Sequence, residues 1–98
     1  TFAGIIDLKI LILDKNELKN VPILCKSLVK LIFSNNKIEI LKSSSFSNLE
    51  NLKTLNLENN RIYLIEKYAF SFLYELNQLY LFGNRLRNLE KRIFINLT

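Results

Sequence analysis

One eleven-residue pattern, LxxLxLxxNxL, is written four times in this chain of 98 residues. It runs from Leu8 to Leu18, from Leu28 to Ile38, from Leu52 to Ile62 and from Leu76 to Leu86. The starts lie 20, 24 and 24 residues apart. Self-similarity at such a period belongs to a stacked solenoid, whose units bury their apolar faces only against one another. A globule built round one central core is excluded, and a broad displayed surface is expected instead.

With the first Leu of each unit as position 1, position 4 is Leu11, Leu31, Leu55 and Leu79, and position 6 is Leu13, Phe33, Leu57 and Leu81. This period-two alternation reads as a short strand with both residues on one face. A helix fails, because residues two apart on it sit ~200° apart and share no buried stripe. One such strand cannot bury its Leu alone. Parallel stacking at ~4.8 Å makes a continuous apolar column. Position 14 adds Val21, Leu41, Ile65 and Leu89, and position 19 adds Phe46, Phe70 and Phe94.

Position 9 is always Asn: Asn16, Asn36, Asn60 and Asn84. It falls where the chain leaves the strand and turns toward the core, so nearby backbone groups lack sheet partners. An amide offers both donors and an acceptor, and a column of amides is read as a structural ladder. Ser43-Ser44-Ser45 ahead of Phe46 offer caps for a short helical turn on the return path. In the shorter first unit Val21-Pro22 reads as extended chain. The spacing of Phe2, Ile5 and Leu8 continues the phase upstream, and Phe94 and Leu97 continue it downstream. Residues 1–7 are therefore read as the end of a preceding unit. Full units follow at 8–27, 28–51 and 52–75, and one cut short at 76–98. Without polar or cysteine-rich caps, the expectation is a partial array.

Apolar content of 49% with 23% charged residues is too apolar for a disordered chain. No apolar run approaches the ~18 residues of a membrane span. There is no His, no Gly-rich phosphate loop and no Cys/His metal spacing, so enzyme chemistry and cofactors find no support. Asp14 and Glu58 face outward roughly 10 Å apart, but an open face neither excludes water nor raises a pKa. Cys25, the single cysteine, is read as a small buried or half-buried filler on the return path of the short unit. A net charge of +5 without a basic run suggests no nucleic acid.

These residues resemble the leucine-rich repeat family over essentially the whole chain. The 24-residue form, LxxLxLxxNxLxxLxxxxFxxLxx, is similar to the family's typical class. That class is found mostly in extracellular and receptor proteins such as Toll-like receptors, Slit, neuronal adhesion proteins and small proteoglycans. The 20-residue first unit resembles the shorter repeats mixed into such arrays. Phe33 in place of Leu and the lack of cysteine-rich ends depart from the pattern. The resemblance implies an α/β solenoid, a right-handed horseshoe. Its short parallel strands form the concave face, and loops or short helical turns form the convex side. It also implies a segment of an extracellular or receptor ectodomain that binds a protein ligand or co-receptor through the concave face, without membrane contact. The alternatives are an intracellular scaffold or regulatory subunit, and a structural spacer.

The residues alternating with the buried Leu point outward. Ile10, Ile12 and Ile32 form one apolar cluster and Tyr80 with Phe82 a second, with Asn56 and Glu58 between them. These seven are the candidate partner-binding residues, since exposed apolar clusters and Tyr mark contact sites. Lys37, Arg61 and Arg85 form a basic row at position 10 that could take an anionic glycan or phosphate. Glu17 interrupts it, and it is read as a solvated edge. Asn96-Leu97-Thr98 is a glycosylation sequon, which suits a secreted protein.

Overall fold

The computed structural model describes residues 8–22, 24 and 26–86. Three-residue strands recur in each unit: β1 (Ile10–Ile12), β2 (Lys30–Ile32), β4 (Thr54–Asn56) and β6 (Gln78–Tyr80). They form one parallel sheet in the order β1-β2-β4-β6. The register aligns Leu11, Leu31, Leu55 and Leu79 in one row. Repeat spacing in sequence has thus become strand spacing in space.

Hydrogen bonding runs past the ends of the strands. Leu13 N donates to Ile32 O (2.8 Å), Phe33 N to Asn56 O (2.8 Å) and Leu57 N to Tyr80 O (2.9 Å). Lys15, Asn35 and Asn59 N repeat the pattern two residues on, reaching Ser34, Glu58 and Phe82 O. At that point each unit bends out of the sheet through a left-handed residue: Lys15 (φ 59°), Asn35 (φ 55°), Asn59 (φ 56°) and Gly83 (φ 80°). Asn and Gly tolerate this conformation best. At Gly83 space matters too, since a Cβ there would lie 2.1 Å from Asn59 Oδ1.

The next residue is the column Asn. Asn36 Nδ2 donates to Leu13 O, Phe33 O and Ser34 O, and its Oδ1 accepts from Asn16 N and Leu18 N. Asn60 Nδ2 donates to Phe33 O, Leu57 O and Glu58 O, and its Oδ1 accepts from Ile38 N (3.2 Å). Asn84 donates to Leu57 O and Leu81 O and accepts from Ile62 N. Each amide therefore bonds its own unit and the one before. The shared carbonyls of Phe33 and Leu57 each receive two amides, whereas among the described residues Ile38 N donates to the Asn60 side chain alone. A buried N–H left unpaired costs ~1–3 kcal/mol, so at Asn60 the acceptor half of the amide carries the larger share. Asn16 is exposed, and its amide donates to Asp14 O within the same unit.

The core is a stack of rows rather than a centre. Leu28, Leu31, Phe33, Ile38, Leu41, Leu52, Leu55, Leu57 and Ile62 are all fully buried. Leu11, Leu13, Leu79 and Leu81, on the outer strands, are half-buried against them. Toward the convex side Phe46 and Phe70 stack nearly parallel, with ring centroids 6.1 Å apart.

The return path takes the loop-and-turn form expected for the convex side, and it adds one element that spacing does not predict. No helix forms among the described residues. Turns replace it, with Ser45 N bonded to Lys42 O, Leu49 N to Phe46 O, Ala69 N to Glu66 O and Leu73 N to Phe70 O. The serines do not cap a helix. Ser45 Oγ accepts from Lys42 N, and Ser43 Oγ donates to Lys67 O in the next unit. A second sheet also appears, where β3 (Ile40–Leu41) pairs in parallel with β5 (Leu64–Ile65). Phe2, Ile5, Cys25, Leu89, Phe94, Asn96 and Leu97 lie outside the described residues, and so do the bounds that depend on them.

Candidate protein-binding face

Strand alternation turns one set of side chains away from the core. In register they make two rows, Ile10–Lys30–Thr54–Gln78 and Ile12–Ile32–Asn56–Tyr80. Ile12 therefore stands beside Ile32, and Asn56 beside Tyr80. Ile10 shares the exposed face of β1 with Ile12, although its cross-strand neighbour is Lys30. Exposure is high where it bears on binding: 56% at Ile10, 63% at Ile12, 42% at Tyr80 and 79% at Phe82. Ile32, Asn56 and Glu58 are half-buried by their neighbours.

Polar side chains between the apolar clusters are already held. Thr54 Oγ1 lies 3.1 Å from Gln78 Oε1 and donates to it. Asn56 Nδ2 donates to Glu58 Oε1 (3.1 Å), while its Oδ1 accepts from Glu58 N (2.9 Å). Asp14 Oδ1 accepts from Ser34 Oγ (2.8 Å) and Asn35 Nδ2 (2.9 Å). The Asn35 amide first, then the Ser34 hydroxyl, hold the Asp14 carboxyl below its usual range, against a partial desolvation. Lys15 adds attraction in the same direction. These contacts fix rotamers before any partner arrives, which lowers the ordering cost of binding. Both carboxylates thus serve as hydrogen-bond acceptors within the face.

Over residues 26–86 the sequence matches the family described as Leucine rich repeat. The chain belongs to the leucine-rich repeat family. Its leucine-rich repeats are also similar to a chain in the structure of the Toll–Spatzle complex, described as a molecular hub in Drosophila development and innate immunity. The TM-score is 0.89 at 29% identity, over 98% of this chain. The match spans 13% of that chain's length. No curated protein matches the sequence. The leucine-rich repeat fold, with its parallel strands and turn-built return path, is therefore shared with a protein solved in a complex.

Other exposed apolar residues lie on the return path of the third repeat: Tyr63, Leu64, Tyr68, Phe72 and Tyr74. Sequence reasoning passed over them because it followed the strand positions. A signal existed, since the second repeat has Glu39, Ile40, Ser44, Asn48 and Glu50 at the same positions. Tyr68 adopts φ 70°, uncommon for a bulky side chain, with the Lys67 ammonium 5.1 Å from its ring.

Proposed function

We propose that this leucine-rich repeat segment is a protein-interaction module of an extracellular or cell-surface ectodomain, binding a protein ligand or co-receptor through the outward row of its parallel sheet. The single observation carrying the reading is that Ile12, Ile32, Asn56 and Tyr80 share one row in register on four strands. Apolar ends flanking a prearranged polar centre resemble the anchors and rim of a protein interface. Likeness to a chain of the Toll–Spatzle complex supports a protein as the partner and an extracellular setting. Glycosylation at Asn96 and a role in signalling belong to the same proposal.

The test is site-specific cross-linking. A photoreactive amino acid is placed at position 80, or separately at position 74 on the return path, and the chain is exposed to extracellular fluid. Discrete protein adducts are expected from position 80 and not from 74. Adducts from 74 alone would move the binding face to the aromatic return path of the third repeat.

A further inference from the structure

The flank joining the sheet to the return path carries a feature distinct from the concave row. Two depressions lie along it, of about 540 Å³ and about 340 Å³. Lys37 and Arg61 line both, so they form a common wall between them. Lys15, Lys19, Lys37, Lys42, Arg61 and Arg85 line the pair, against the carboxylates of Glu17 and Glu39. Six cations and two carboxylates leave this flank four positive charges, compared with five for the whole chain. The net charge is therefore concentrated here rather than spread over the surface.

The row is also set by the backbone. Lys37 N donates to Leu18 O, Arg61 N to Ile38 O and Arg85 N to Ile62 O, each at 2.8 Å. Position 10 of the second, third and fourth repeats is thus tied to the repeat before it, and the cations climb the solenoid axis one per rung, ~4.8 Å apart. At the lower end Glu17 takes the cation's place and pairs with Lys37 Nζ at 3.4 Å. Among the described residues no ion pair engages Arg61 or Arg85, and both are exposed.

We propose that this flank is a second binding site, for a linear sulfated polysaccharide lying along the solenoid axis. A periodic row of cations suits a polymer bearing anionic groups at regular intervals. Among the described residues no aromatic side chain lines either depression, so these residues offer no stacking platform of the kind that single-stranded nucleic acids use. The neutral polar lining outside the ladder includes the exposed amides of Asn20 and Asn59, a side-chain type able to donate to and accept from hydroxyl groups. This site does not depend on the concave face binding a protein.

The test measures heparin affinity of the full chain across a salt series. Replacing both exposed arginines, Arg61→Ala with Arg85→Ala, should weaken binding about tenfold. It should also flatten the log–log salt dependence by about one unit per cation, through lost counterion release. Glu17→Gln should tighten binding about twofold to threefold by freeing Lys37, an effect no folding defect can imitate. The pair Lys30→Ala with Lys53→Ala, which removes equal charge elsewhere, should change affinity less than about twofold. An equal loss in that control pair would reduce the effect to net charge and overturn the site. A single-stranded oligonucleotide of matched charge that bound more tightly than heparin would overturn the choice of ligand.

Discussion

Phe70→Ala should lower the stability of the chain by ~3–5 kcal/mol, read as the loss of unfolding free energy in denaturant. Phe70 is fully buried, and so is Phe46, one repeat below it. Their rings stack at 6.1 Å and 12°, and fill the space between the sheet and the turns of the return path. In a solenoid each ring has only its neighbours to close on, so removing one opens a gap between rungs. Little can collapse into that gap, because Ala69 and Leu73 are already buried beside it in the sequence. An aromatic pair adds ~0.5–1.5 kcal/mol beyond the burial of its area. Phe46→Ala combined with Phe70→Ala should therefore cost less than the sum of the two single changes. A loss below ~1 kcal/mol for Phe70→Ala would mean that the convex side is not packed through this column.

Leu55→Ala should cost ~2–5 kcal/mol. Leu55 is fully buried and stands between Leu31 and Leu79 in the row that crosses the sheet. Its neighbours Thr54 and Asn56 face the other way and are half-buried. Because strand side chains alternate, a register error of one residue would put Leu55 in solvent. A cost under ~0.5 kcal/mol, typical of surface substitutions, would show that error. Comparison with Leu31→Ala sharpens the result, since that residue is equally buried on the next strand and should cost a similar amount.

Much of this architecture is legible in the sequence. Leu11, Leu31, Leu55 and Leu79 recur at one position of the repeat, and recurrence in a solenoid means stacking. The outward row followed from alternation alone, so Ile12, Ile32, Asn56 and Tyr80 could be picked from the sequence as strand neighbours. What spacing cannot carry is anything built by two stretches that only the fold brings together. The second sheet is one example: Ile40–Leu41 and Leu64–Ile65 are two residues long and show no alternation to read. The return path is another. Its turns are closed by local backbone bonds, such as Ser45 N to Lys42 O, in a stretch whose serines look equally suited to starting a helix. Of the flank, the sequence displays the row Lys37, Arg61 and Arg85. It does not display that Lys19 and Lys42, on other segments, complete the same charged wall.

On the proposed function, specificity lies in the outward residues, because the Leu rows and the asparagine amides are occupied with holding one repeat to the next. Tyr80 and Ile12 are the largest exposed groups on opposite strands of the row, and neither supports the core. The most direct measurement is a titration of a cross-linked partner, once isolated, against the Ile12→Ala, Tyr80→Ala double variant, with its melting transition recorded alongside. The account predicts an unchanged melt and affinity weakened by about tenfold or more, the effect of losing a hot-spot aromatic and its apolar counterpart. Unchanged affinity with an intact fold would contradict it, and would leave these repeats as a spacer between binding sites elsewhere.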